Sequence, residues 1–344
     1  MYILMAPPVV LSVRHLTTKF EIEGKIYKVV DNLSFDLKRG KTLALIGESG
    51  CGKSMTALSL LRLLPHPPAL PSEGSVLYHG EDLLTLSPKQ MQRIRGKKIA
   101  MIFQNPSSAL NPVYTIGNQL EEVAIAHLHV SKDTARQMTL QALREVHFPN
   151  PEMNKHAYPH QLSGGMLQRA MIAMALICSP DILIADEPTT ALDMTIQREI
   201  LSLLSELQEK RGMSILLISH DMGIVSEIAH DGIVMYGGQQ IEMGYVPTLF
   251  QHTAHPYTQA LFASRLDPSI EKGKLPTIPG SVPRLTEFPK GCRFHPRCRY
   301  AMEICKEGPV PDFPFREDKI ENTHKVKCWL YDEELEWKID DPRD

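Results

Sequence analysis

Gly47-Glu48-Ser49-Gly50-Cys51-Gly52-Lys53-Ser54 is the stretch on which the fold turns. It follows the apolar run Thr42-Leu43-Ala44-Leu45-Ile46 and leads into a helical pattern over residues 55–64. It fits G-x-x-x-x-G-K-[ST], a loop that cradles the phosphates of a nucleotide. Surrounding phosphate oxygens with backbone N–H groups demands a tight curl, which glycines permit because they lack a Cβ. The helix that starts near Lys53 adds its positive end. Lys53 can reach the β- and γ-phosphates, and the Ser54 hydroxyl can ligate Mg²⁺.

Working outward, Ile182-Leu183-Ile184-Ala185-Asp186-Glu187 is an apolar strand ending in two carboxylates. A strand buried on both faces delivers Asp186 to the carboxyl edge of a parallel sheet, where α/β folds bind ligands. Asp186 would hold Mg²⁺, and Glu187 would orient or deprotonate the attacking water. Leu162-Ser163-Gly164-Gly165-Met166 precedes a helical stretch over 167–178. A serine at a helix start followed by two glycines is a second anion-binding terminus. Two phosphate-binding devices with one lysine loop imply a head-to-tail dimer, in which each chain's second device faces the partner's nucleotide.

The rest of the chain is consistent with this core. Residues 9–16, 25–30 and 33–37 read as short strands, as do 75–78 and 99–103. Residues 116–178 are helical with a break at 149–159, and 214–218 is another buried parallel strand. Ile196, Ile200, Leu203, Leu204 and Leu207 mark one helix face closed by Gly212. Strands alternating with helices imply a doubly wound α/β core with a helical insertion. With 344 residues, 43% hydrophobic and 22% charged, the chain has room for one large domain and a smaller one. Its net charge of −3 gives no basic field for nucleic acid. No apolar run approaches the roughly 18 residues that cross a bilayer, and the proline-broken start is a poor signal peptide, so a cytoplasmic chain is expected.

These motifs together resemble the nucleotide-binding subunit of an ABC transporter over about residues 9–250. Residues 47–54 match Walker A, Gln104 the Q-loop, and Leu162, Ser163, Gly164, Gly165 and Met166 the signature. Residues 182–187 match Walker B, Ala191-Leu192-Asp193 the D-loop, and His220 the switch histidine. The resemblance implies an ABC-type P-loop core over 1–250, with an antiparallel β subdomain and a helical subdomain at about 105–178. It implies that Gln104 touches Mg²⁺ or the water, that His220 contacts the γ-phosphate, and that Asp193 communicates across the dimer. Met166 departs from the glutamine usual in the family, while Ser163 and both glycines are kept. Either Phe20 or Tyr27 would stack on adenine.

His255-Pro256-Tyr257-Thr258-Gln259-Ala260-Leu261 starts a short helix with proline in its first turn. It also resembles the hallmark of the oligopeptide/dipeptide importer ATPases, whose C-terminal extension would occupy 251–344. Such a subunit energises peptide import from the cytoplasmic side of the membrane. It works with a second ATPase subunit (a paralogue or itself), two transmembrane permease subunits and, indirectly, an extracytoplasmic binding protein. Import of nickel or another small solute is an alternative, and a soluble ABC ATPase acting on ribosomes or DNA a further one. Cys292, Cys298, Cys305 and Cys328 lie in a proline-rich segment. Structural zinc pairs its cysteines two to four apart, which this spacing does not do. Four thiolates suit a [4Fe–4S] cluster, which some members of the subfamily carry. Zinc and uncoordinated thiols remain the alternatives. Cys51 is expected to be non-catalytic, and the acidic stretch from 332 to 344 a solvated tail.

Overall fold

Two sheets divide the strands. The computed structural model describes residues 7–190, 192–263, 278–315 and 324–335. Ala191 of the D-loop, Pro276 and residues 336–344 of the acidic tail lie outside them. The three short strands expected at the start are two long ones, β1 (Val9–Ile22) and β2 (Lys25–Lys38). Glu23 and Gly24, with φ of 52° and 73°, close them into a hairpin of the primed type. Register shifts between Val13 and Thr18, and Asn32 at φ 55°, break the alternation that made them look fragmentary. β1 also pairs with β4 (Glu73–Tyr78), which pairs with β5 (Glu81–Asp82), giving the antiparallel order β2-β1-β4-β5.

The larger sheet is built around β3 (Thr42–Ile46), β6 (Ile99–Ile102), β7 (Ile182–Asp186), β8 (Ser214–Ser219) and β9 (Asp231–Tyr236), which run parallel. Every residue of β3, β7 and β8 is buried, as their unbroken apolar runs require. β10 (Gln239–Tyr245), β11 (Phe313–Pro314) and β12 (Lys325–Val326) extend it antiparallel, in the order β11-β12-β10-β9-β3-β8-β7-β6. The helix Met194–Arg211 starts on the Asp193 cap, ends at Gly212 and buries Ile200, Leu203, Leu204 and Leu207. Each such side chain contributes about 1.5–3 kcal/mol relative to exposure.

Helices Ile116–Leu128, Lys132–Glu145 and Gly164–Leu176 make the helical insertion. Thr115, Ser131 and Ser163 cap them by accepting from backbone N–H groups. Their apolar faces share a core with Ala100 and Ile102 of β6, which hangs the insertion on the edge where Gln104 follows β6.

The described residues after 251 are sewn to the sheet rather than appended to it. β12 pairs with β10, and Tyr236, Tyr257 and Phe294 pack edge to face with centroids 4.8–5.4 Å apart. Buried Glu242 of β10 accepts hydrogen bonds from the Ala254 and His255 N–H groups (2.8 and 2.9 Å) and from His324 Nε2 (2.8 Å). One carboxylate thus ties the helix Pro256–Ala263 and β12 to the same strand.

Candidate nucleotide site

β3 ends at Gly47, whose backbone lies against β9: a Cβ there would sit 2.4 Å from the Met235 carbonyl oxygen. Gly52 takes φ 105°, a conformation closed to other residues, and starts the helix Lys53–Leu60. Ser49 and Gly50 form the exposed tip of the curl, and Cys51 is buried beneath it. Burial raises the Cys51 thiol pKa, so it is an inert packing group. Lys53 Nζ is buried and donates to the carbonyls of Gly47 (2.7 Å) and Glu48 (2.9 Å), which holds its charge inside the curl.

Two strands away, β7 ends in Asp186. Ser54 Oγ donates to Asp186 Oδ1 at 3.0 Å, so the hydroxyl and carboxylate expected to share Mg²⁺ are already together. These hard oxygen donors fit that ion, which takes one or two protein ligands and keeps waters and phosphate oxygens. Burial raises the Asp186 pKa; the Ser54 hydrogen bond opposes it and the Glu187 charge adds to it.

Glu187 follows at φ 47°, with its N–H donating to Ile218 O of β8 at 3.0 Å. This strained turn swings its side chain into a ring of donors. Oε2 accepts from Gln104 Nε2 and Thr190 Oγ1, each at 2.9 Å, and Oε1 lies 3.1 Å from His220 Nδ1. Burial alone would raise the Glu187 pKa, but the Thr190 and His220 hydrogen bonds and the charges of His220 and Lys53 bring it below its ordinary value. Glu187 is 11% exposed and His220 60%, so the carboxylate is fixed while the imidazole faces solvent. The three residues that the sequence nominated for catalysis, Gln104, Glu187 and His220, therefore meet at one point. Thr190 joins them without having been singled out; its only signal was its place three residues after Glu187.

Other nominated residues lie apart. Phe20 and Tyr27 are direct cross-strand partners in the β1–β2 hairpin, so they share one face and neither is favoured. Ser163 and Gly164 are exposed, Gly165 packs near Ile196, and Leu162 and Met166 are half-buried. Ser163 Oγ accepts from Met166 N–H at 3.4 Å. Asp193 is exposed, and its Oδ1 accepts from the Thr195 and Ile196 N–H groups at 3.1 and 3.0 Å.

Cys292, Cys298, Cys305 and Cys328 line one small apolar cavity with His255 and Trp329. Burial raises the thiol pKa of Cys298, Cys328 and Cys292, the last to about 11. The expectation of a metal-binding extension is corrected. Among the described residues no three His, Cys, Asp or Glu side chains converge as ligands of a single metal ion. Neither the expected [4Fe–4S] cluster nor its zinc alternative is therefore supported by a gathered ligand group. His255 is buried and its pKa falls to about 4, so the ring is neutral. Its Nδ1 accepts from Tyr257 N–H, which puts the proton on Nε2, and among the described residues neither that atom nor Trp329 Nε1 has a partner.

Two family patterns match the chain: ABC transporter over residues 30–190, and the oligopeptide/dipeptide transporter C-terminal region over residues 241–305. The dipeptide transport ATP-binding protein DppD of Bacillus subtilis is 46% identical over 332 residues, covering 96% of this chain and 97% of that protein. The oligopeptide transport ATP-binding protein OppD of the same organism is 45% identical over 323 residues, covering 93% of this chain and 88% of that protein. Among solved structures, the dimeric post-hydrolysis ATP-binding cassette MJ0796 bound to ADP and Pi is similar, with a TM-score of 0.62 and 26% identity. That match covers 69% of this chain and 98% of the cassette.

Proposed function

Because the chain belongs to the ABC transporter ATP-binding proteins, in the branch that carries the oligopeptide/dipeptide C-terminal region, we propose that it binds and hydrolyses ATP to drive import of di- or oligopeptides. The observation that carries the chemistry is Glu187, held by Gln104, Thr190 and His220 beside the Ser54–Asp186 pair. The loop amides and Lys53 bind the phosphates, while Ser54, Asp186 and Gln104 hold Mg²⁺. When bound, the ion would supply positive charge against the phosphate oxygens. Glu187, kept ionised, orients the attacking water, and Gln104 and Thr190 fix its carboxylate in place. His220 bridges Glu187 and the γ-phosphate. In this reading hydrolysis rests on positioning and electrostatics rather than on covalent chemistry.

The exposed Ser163–Gly165 terminus faces the nucleotide of a second ATPase subunit across a head-to-tail dimer, with Asp193 beside it. That the similar MJ0796 cassette is dimeric supports a two-subunit assembly. Two permease subunits and an extracytoplasmic binding protein complete the importer, and the chain lies peripherally on the cytoplasmic side. No helix among the described residues is long and apolar enough to cross a membrane. Cys292, Cys298, Cys305 and Cys328 would be the ligands of a [4Fe–4S] cluster. This reading rests on the four cysteines lining one cavity with His255 and Trp329, whose ring N–H groups have no partner among the described residues. Such donors suit cluster sulfurs. Iron and acid-labile sulfide counted in an anaerobic preparation check it; zinc without iron refutes it.

The function is tested in cells lacking the gene. Uptake of a labelled peptide should be lost and restored by the wild-type chain but not by Lys53→Ala. Peptide uptake unaffected by the deletion, with nickel uptake lost, would refute the cargo.

A further inference from the structure

Glu48 is at the second position of the phosphate loop, and its carboxylate has no part in the chemistry above. Its N–H donates to the Tyr257 hydroxyl at 2.9 Å, and Tyr257 is wholly buried in the core of the extension. Its carboxylate meets the Arg297 guanidinium, with Nη1 3.2 Å from Oε1 and Nη2 3.4 Å from Oε2. Arg297 is only 7% exposed. Its other donors are used on the Tyr236 hydroxyl (3.3 Å) and on the carbonyls of Pro279 (2.8 Å) and Gly280 (3.3 Å), so the guanidinium is fixed before it meets Glu48. A third tie supports the far side of the curl. Gly238 N–H donates to Cys51 O at 2.8 Å, and Arg293 holds the same turn by donating to Gly237 O and, at 2.9 Å, to Asp31 Oδ2.

We infer that Arg297 and Tyr257 are positioning residues for ATP. From behind, they hold the phosphate loop in its curled form, and Arg297 neutralises a loop carboxylate that would otherwise repel the polyphosphate. The inference rests on residues 47–54 being the ATP site. Arg297 lies on the single turn His295–Arg297, between Cys292 and Cys298. The segment that carries the thiols is thus also the back wall of the nucleotide site, and whatever stiffens that turn tightens the loop.

The test measures the Kd of the full-length chain for Mg·ATP, by competition with a fluorescent ATP analogue, together with KM and kcat for hydrolysis in the assembled transporter. Arg297→Ala should weaken ATP binding and raise KM about tenfold, the loss of one charge-assisted hydrogen bond, with kcat within about twofold. Adding Glu48→Gln should recover most of the affinity, since the stranded carboxylate goes with it. Tyr257→Phe keeps the buried ring and should weaken binding about threefold. A folded Arg297→Ala chain that binds like wild type, or one whose kcat falls while KM stays put, overturns the inference. If Arg297→Ala does not fold, Tyr257→Phe decides, and unchanged affinity overturns it. A wild-type chain that binds Mg·ATP no better than Lys53→Ala would instead refute the nucleotide site itself.

Discussion

Replacing Glu187 by glutamine removes a charge while keeping the shape. The carboxylate is met by three donors: Gln104 and Thr190 at Oε2 and His220 at Oε1. A glutamine can keep its carbonyl oxygen toward the first two and turn its NH₂ toward His220, whose Nδ1 accepts in the other tautomer. The fold therefore keeps its hydrogen bonds, and stability should change by no more than about 1 kcal/mol. Lys53 and the loop amides are untouched, so ATP affinity should stay within about threefold. What is lost is the charge that orients or deprotonates the water. A group in that role contributes about 10²- to 10⁴-fold, equivalent to roughly 3–5 kcal/mol of barrier. Steady-state phosphate release and ATP binding, measured on the same assembled transporter, separate these effects. A kcat within about fivefold of wild type, or ATP affinity lost along with turnover, would refute the role given to Glu187.

Three further outcomes are expected. Glu242→Ala would strand a buried His324 and two backbone N–H groups, and should cost about 3–5 kcal/mol in denaturant unfolding; a loss under about 1 kcal/mol would deny that Glu242 ties the extension to the sheet. Glu145 pairs with Arg211 between two helices, and although burial acts to raise its pKa, the Arg211 and Gln141 hydrogen bonds hold it below its ordinary 4.5. Its stabilisation is fully present above that value and lost as pH falls through the lowered one. Glu145→Gln should therefore cost about 1 kcal/mol at pH 7 and nothing in strong acid, as unfolding curves at both pH values would reveal. Ser163→Arg should leave ATP binding to the single chain intact but abolish hydrolysis in the assembled dimer, because the exposed helix terminus is blocked; turnover near the wild-type rate would deny that this terminus faces a partner's nucleotide.

The nucleotide site was legible because its parts are short, contiguous and sited at strand ends. The apolar run before Gly47 and the run before Asp186 each deliver their chemistry to the same sheet edge, so local patterns sufficed for Lys53, Ser54, Asp186 and Glu187. Gln104 and His220 follow strands β6 and β8 in the same way, though only family resemblance assigned them roles. Thr190 was missed because the second of two threonines after Pro188 carries no distinctive pattern. The hairpin reads as three strands in the sequence because bulges near Leu16 and Asn32 interrupt its alternation. The seating of the extension was illegible for another reason. Glu242 and His324 are 82 residues apart, and Glu48 and Arg297 are 249 apart. Contacts at such separation leave no periodicity to read. Residues 255–261 were noticed as a helix start, yet nothing local says that the Tyr257 hydroxyl reaches the phosphate loop.

Reconstitution offers the most direct test of ATP-driven peptide movement. The purified chain, its permease and ATPase partners and the binding protein would be placed in liposomes, and entry of a labelled peptide followed with and without Mg·ATP. Peptide should accumulate only with Mg·ATP and only with Glu187 and Lys53 intact. Sustained ATP hydrolysis with no peptide movement, or peptide accumulation undiminished by Lys53→Ala, would contradict it.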